Sequence, residues 1–163
     1  MAKAFVALIT SALCLLAFAG FANCQKDEFF VEGYVYCDTC RVLFETRVSH
    51  KVPDAEVELN CRGQDNHTVT YTVSGKADKE GKYSLKVTGD HQDEICDVTA
   101  VNSPDTDCDE SVSDINKARI SLTGNSGMES SKRFANPIGF RKKDSLADCK
   151  KVLDELGFVS LQN

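Results

Sequence analysis

Cysteine is the residue type with the most chemistry to offer in this sequence. Eight are present, and Cys37-Asp38-Thr39-Cys40 forms a C-x-x-C. That spacing suits a redox dithiol whose first thiol is acidified at a helix N-terminus. Here the motif ends a strand-like run and precedes no βαβ pattern, so it reads instead as two neighbouring cysteines tied to separate distant segments. A zinc site is not expected at the motif, because no second C-x-x-C and no paired H-x-x-x-H completes four ligands.

The acidic run Asp105-Thr106-Asp107-Cys108-Asp109-Glu110 places carboxylates at alternate positions, as the start of a calcium loop does. Its sixth position is Glu110 where glycine is needed, and its twelfth is Asn116 where glutamate is needed, so an EF-hand is excluded. A solvated acidic loop around a disulfide is the expectation. The histidines His50, His67 and His91 lie in separate polar surroundings, and no serine sits in a G-x-S-x-G turn. Asp90-His91-Gln92-Asp93-Glu94 could pair an acid with an imidazole, but reads as a polar loop between strands. Arg141-Lys142-Lys143 is a short basic corner, not a nucleic-acid arm. No catalytic set, metal site or cofactor site converges from these residues, and no enzyme is expected.

What compartment these cysteines meet follows from the first residues. Lys3 precedes an apolar run from Ala4 to Phe18, and small residues follow. This is the build of a secretory signal, with Thr10, Ser11 and Gly20 interrupting what would otherwise be an anchor helix. Cuts after Ala19, Ala22 or Cys24 fit; the last is preferred, giving a signal at residues 1–24 and one domain at 25–163. Removing Lys3 leaves 18 basic against 25 acidic side chains, a net charge of −7. Such a surface repels phosphate backbones and anionic lipid, so neither nucleic acid nor a membrane is an expected partner. Loss of Cys14 and Cys24 leaves six cysteines, Cys37, Cys40, Cys61, Cys96, Cys108 and Cys149. In an exported domain these read as three disulfides, with fifteen connectivities open on spacing alone. Asn66-His67-Thr68 is the one glycosylation sequon and lies in a polar loop, so Asn66 is expected to carry a glycan.

The elements that must hold these cysteines are mostly strands. Residues 29–37 alternate with aromatic and β-branched side chains, and 55–61 puts Ala55, Val57, Leu59 and Cys61 on one face against Glu56, Glu58 and Asn60. Val69, Tyr71 and Val73 continue the pattern. After the turn Asp78-Lys79-Glu80-Gly81, so do Tyr83, Leu85 and Val87, which reads as a hairpin. Further strands are expected at 95–101, 118–122 and 132–135. About seven strands at short spacing predict a mainly β, antiparallel barrel or sandwich. One C-terminal α-helix of about twelve residues is expected over 145–156. Leu146, Cys149, Val152, Leu153 and Leu156 form its apolar stripe, Ser145 with Asp148 its capping pair, and Gly157 its C-cap.

Gly33-Tyr34-Val35-Tyr36-Cys37-Asp38-Thr39-Cys40-Arg41 resembles the signature of the olive pollen Ole e 1 allergen family, the anther- and pollen-specific secreted glycoproteins of flowering plants. The likeness extends to Pro53-Asp54-Ala55, Lys79-Glu80-Gly81-Lys82-Tyr83, Gly89-Asp90-His91 and Asn136-Pro137-Ile138-Gly139-Phe140, and covers nearly the whole mature chain. The resemblance implies pairings of Cys37 with Cys108, Cys40 with Cys149 and Cys61 with Cys96 in a seven-stranded antiparallel fold. It brings no enzymatic activity. It implies expression in pollen, release to the pollen wall or tube surface, a part in hydration, germination or tube growth, and human allergenicity. It also implies a partner of receptor-kinase ectodomain type.

Two function classes follow: a secreted protein that binds a receptor ectodomain through loops on a rigid frame, or a structural wall component or carbohydrate binder. The second requires exposed aromatic platforms, for which Tyr34 and Tyr36 are the candidates. If the export reading is right, intact mass of the secreted protein places its first residue near Gln25, and alkylation without reduction adds no label.

Overall fold

The computed structural model describes residues 27–65 and 67–158; the expected signal, its cut near Gln25 and the Asn66 sequon position lie outside the described residues. Nine strands are present among them: β1 (Glu28–Asp38), β2 (His50–Lys51), β3 (Glu56–Gly63), β4 (Val69–Lys76), β5 (Lys82–Thr88), β6 (Glu94–Asn102), β7 (Lys117–Ile120), β8 (Lys132–Phe134) and β9 (Ile138–Arg141). One α-helix, α1, covers Cys149–Glu155.

The strands form two sheets, not a closed barrel. In the first, β1 pairs antiparallel with β5 over Glu28–Tyr34 and with β2 at Tyr36 and Cys37. Val35 donates its N–H to the Gly81 carbonyl and accepts at its own carbonyl from the Val52 N–H, so β5 and β2 follow one another along one edge. The opposite edge takes β8 at Phe30–Glu32 and β9 at Val35–Asp38, both in parallel. The second sheet is antiparallel throughout, in the order β4-β3-β6-β7. Val31, Val35, Leu85 and Val87 of one sheet meet Val57, Leu59, Val98 and Ala100 of the other in a single buried cluster that also takes in Ile138 and Phe140. Each fully buried side chain of this size contributes about 1.5 to 3 kcal/mol of transfer free energy.

The mainly β, two-layered architecture agrees with the sequence pattern, because β3 and β5 bury alternate residues as their alternation requires. The purely antiparallel expectation is corrected by β8 and β9. A parallel pair needs a long crossover, and here the other sheet and β5 supply it. At Gly139 a Cβ atom would come within 2.8 Å of the Tyr36 carbonyl oxygen, so the close parallel approach of β9 to β1 requires glycine.

The hairpin expectation is also corrected. Asp78 does form the turn, its Oδ1 accepting from the Glu80 and Lys82 N–H groups, with Gly81 at φ +74°. Yet β4 pairs with β3 and β5 pairs with β1, so the turn carries the chain from one sheet to the other.

The terminal helix is shorter than expected, seven residues rather than twelve. Asp148 is its N-cap in helical backbone geometry without a side-chain capping bond, so the Ser145–Asp148 pair does not start it. Its end is as predicted: Gly157 is left-handed, its N–H bonding to the Asp154 carbonyl and that of Phe158 to Leu153, the two bonds of a Schellman cap. Only Cys149 and Val152 are buried; Leu153 is half-buried and Leu146 and Leu156 are exposed. Two turns of helix can aim only about one side chain each at the sheets.

A helix this short has no stability of its own in water, so its order rests on Val152 and on Cys149, which is bonded to Cys40. Val152→Ala should cost about 1.6 kcal/mol, two methyl groups' worth of burial, and Leu146→Ala under about 0.5 kcal/mol. Cys40→Ala with Cys149→Ala should cost about 2 to 4 kcal/mol. Urea denaturation measures all three, and equal costs for Val152→Ala and Leu146→Ala would refute the docking described.

Candidate functional site

At its C-terminal end β1 runs into a carboxylate, Asp38, that is 0% exposed. Its Oδ1 accepts from the Cys40 N–H at 3.2 Å and its Oδ2 from the Leu43 N–H at 2.8 Å, turning the chain into the 39–49 loop. Arg41 and Leu43 are left-handed there, at φ +58° and +68°. Such backbone costs about 1 to 3 kcal/mol per residue and persists only where its surroundings impose it. The imposition is visible. Cys37 is bonded to Cys108 and Cys40 to Cys149, while the Arg41 guanidinium donates to Glu110 at 2.9 Å and to the Lys142 and Lys143 carbonyls at 2.6 and 2.8 Å. Held this way, the loop turns Leu43 to solvent, and the Phe44 ring lies 5.7 Å from that of Phe158. Phe44 and Phe158 thus bring the loop against the end of α1, with exposed Leu43 and Leu156 nearby in sequence on either side.

The acidic run lies against this loop, solvent-exposed around the Cys37–Cys108 bond as expected, and its carboxylates are also paired with cations. Glu110 is clamped by Arg141 and by Arg41, Asp107 meets Lys142 at 3.6 Å, Asp109 meets Lys143 at 3.5 Å, and Asp105 meets His50 at 3.1 Å. The basic corner Arg141-Lys142-Lys143 is thus the counter-charge of the acidic run. Hydrogen bonding from Arg141, reinforced by Arg41, holds the Glu110 carboxyl down to about 2 against the usual 4.5.

The two cysteines of C-x-x-C are bonded to different segments, as described, and the third bond joins Cys61 to Cys96 across β3 and β6. His91 pairs with Glu94 at 2.6 Å, whereas Asp90 bonds to Thr123 at 3.0 Å. Residues 90–93 are a polar loop between β5 and β6, as read from the sequence, but the His91 side chain within it is only 9% exposed.

Neither tyrosine offers an open platform. Tyr36 is buried, and that burial, with Asp38 nearby, pushes its phenol up to about 12. Tyr34 donates to Glu45 at 2.8 Å, and the Lys51 ammonium covers its ring at 3.4 Å. The most exposed aromatic among the described residues is Phe134, 73% accessible, at a groove of about 540 Å³ that Glu32, Asp78, Lys82, Tyr83 and Ser84 also line. Sequence reasoning placed a strand there without its outward ring, because a three-residue strand has too little alternation to give its faces.

A β-sandwich with this bridged C-x-x-C end defines a class, and comparison with known proteins identifies it. Residues 27–157 match the family model described as "Pollen protein Ole e 1 like". The chain is 52% identical over 162 residues to the anther-specific protein LAT52 of Solanum lycopersicum, covering 99% of each. It is 45% identical over 160 residues to pollen allergen Cro s 1 of Crocus sativus, covering 96% of this chain and 95% of that one. The crystal structure of the major plantain pollen allergen Pla l 1 superposes with a TM-score of 0.67 at 31% identity, over 75% of this chain and 99% of that one. The chain belongs to the Ole e 1-like family of pollen proteins.

The lowered Glu110 carboxyl carries a pH signature. Its contribution to stability is complete above about 4.5, the usual value, and is lost as pH falls toward about 2. Glu110→Gln should therefore flatten the fall in melting temperature between pH 4.5 and 2. Calorimetric scans showing the same fall in the variant would remove Glu110 from the acid response.

Proposed function

We propose that this is a secreted, non-enzymatic protein of the pollen surface or pollen tube that binds a receptor-kinase ectodomain during hydration, germination or tube growth. One observation carries the reading: exposed Leu43 and half-buried Phe44 sit on a strained loop that two disulfides and the Arg41 contacts hold rigid, and the Phe44 ring meets exposed Phe158 beyond α1, which Leu156 precedes. Exposed apolar side chains grouped on a stiff frame, rimmed by charge, have the character of a protein-binding surface. A braced loop also loses little entropy when it binds. Three disulfides suit an oxidising compartment outside the cell. Allergenicity is carried over from relatives such as Cro s 1, and glycosylation at Asn66 from its sequon.

A second reading, a carbohydrate binder of the wall, is favoured by Phe134. An exposed ring beside Glu32, Asp78, Lys82 and Ser84 offers a sugar both a stacking face and hydrogen-bonding rims.

Oxidised protein from a secreting plant host should be titrated against pollen-expressed receptor-kinase ectodomains and, separately, against wall polysaccharides. Leu43→Asp with Phe158→Asp should weaken ectodomain binding by more than about tenfold, the loss of over 1.4 kcal/mol, while Phe134→Ala leaves it intact. The opposite pattern, with polysaccharide binding lost in Phe134→Ala, favours the second reading. Asn66→Gln should lower the secreted mass by one glycan, and an unchanged mass would show the site unused.

A further inference from the structure

At the other end of the sandwich, four metal-ligating side chains stand together. Across the second sheet, Tyr71, Cys61, Cys96 and Ile120 are register partners in one row over β4, β3, β6 and β7. His91 lies over this row, its ring 4.8 Å from that of Tyr71. One ligand atom from each of Cys61, His91, Glu94 and Cys96 lies within 4.8 Å of the others. The backbone fixes the histidine, since its N–H donates to the Leu122 carbonyl and its carbonyl accepts from the Glu94 N–H.

An independent observation concerns the imidazole itself. Glu94 Oε2 meets Nδ1 at 2.6 Å, and an ionised carboxylate only accepts, so Nδ1 carries the proton. In the neutral ring this tautomer leaves a lone pair on Nε2, and Nε2 is buried without a hydrogen-bond partner. A buried polar atom left unpaired is unfavourable. A carboxylate holding one ring nitrogen while the other is left to bind is the arrangement that orients metal-ligating histidines.

We propose that Cys61, Cys96 and His91, with Glu94 beside them, form a zinc site that is closed while Cys61 and Cys96 are bonded and opens when that bond is reduced. A dithiol supplies the two electrons: it becomes a disulfide, the Cys61–Cys96 sulfur bond breaks, and each sulfur takes a proton. Zinc then binds both sulfurs as thiolates and displaces those two protons. Tetrahedral geometry with Zn–S near 2.3 Å separates the sulfurs by about 3.8 Å, so the two side chains, bonded to each other in the oxidised protein, must turn apart once reduced. Glu94 stays on Nδ1 and orients the ring, leaving the fourth position to water, and a surface cleft of about 400 Å³ lined by Asp90–Glu94 adjoins the histidine. Two thiolates and an imidazole favour zinc over calcium or magnesium.

The test uses the full mature protein, oxidised or treated with a phosphine reductant, with zinc alone as the probe. After reduction and zinc addition, alkylation and peptide mapping should show Cys61 and Cys96 protected while Cys37, Cys40, Cys108 and Cys149 are labelled. Cobalt in place of zinc should give sulfur-to-metal charge-transfer and tetrahedral d–d bands in the reduced protein and none in the oxidised one. His91→Ala and Glu94→Gln, each checked by circular dichroism when oxidised, should weaken zinc binding by at least about tenfold. Equal labelling of all six cysteines, zinc affinity unchanged in His91→Ala, or a reduced chain that takes up no zinc, folded or not, would overturn the site.

Discussion

Strand β1 is hydrogen-bonded on both edges at Phe30–Glu32 and again at Tyr36 and Cys37, and the other elements are arranged around that double pairing. Its partners come from residues 50–51, 82–88, 132–134 and 138–141, so the first sheet is complete only when the C-terminal part of the chain has returned to its N-terminal strand. Such long-range pairing is costly in chain entropy before any contact repays it. Cys37 at the end of β1 and Cys40 just beyond it fasten that return, linking the strand to Cys108 and Cys149. The C-x-x-C spacing therefore serves closure: two adjacent cysteines hold two distant segments against one strand end.

That closure makes the strained loop affordable in structural terms. Arg41 and Leu43 would relax from left-handed backbone if the loop were free. They are held because the buried Asp38 carboxylate takes two backbone N–H groups and the Arg41 guanidinium is tied to a glutamate and two carbonyls. A buried carboxylate without such donors would be strongly unfavourable. Leu43 and its apolar neighbours are thus displayed by polar interactions beneath them.

Much of the fold was legible because β3 and β5 obey simple rules of alternation and the turn before β5 carries glycine and aspartate. What was not legible has physical causes. β2 has two residues, and β9 is buried at Ile138, Gly139 and Phe140 in succession, so neither alternates. Turn chemistry at Asp78–Gly81 reveals that the chain reverses but not which sheet each arm joins. A helical stripe says which leucines share a face, and only the sheets decide that Val152 is covered while Leu156 is not. At the candidate site, the family signature located the bridged loop, but the pairing of the acidic run with Arg141-Lys142-Lys143 depends on a return of about thirty residues that local charge patterning does not show.

His91 is the sharpest instance, because its neighbours Asp90, Gln92, Asp93 and Glu94 are all polar and the segment resembles a loop in water. Its burial comes from Tyr71, on a strand twenty residues earlier, and from the sheet beneath. The His91 cluster also stands apart from the bridged loop. His91 follows β5 just beyond the residue paired with Glu28, the first of β1, whereas the loop follows Asp38, the last. Eleven extended residues separate those ends by about 33 Å, and sites so distant, sharing no partner, act on stability nearly independently. A change at Cys61 and Cys96 therefore leaves the braces of the 39–49 loop in place, because the disulfides holding that loop belong to other cysteines. One end of the sandwich can change its chemistry while the other keeps its shape.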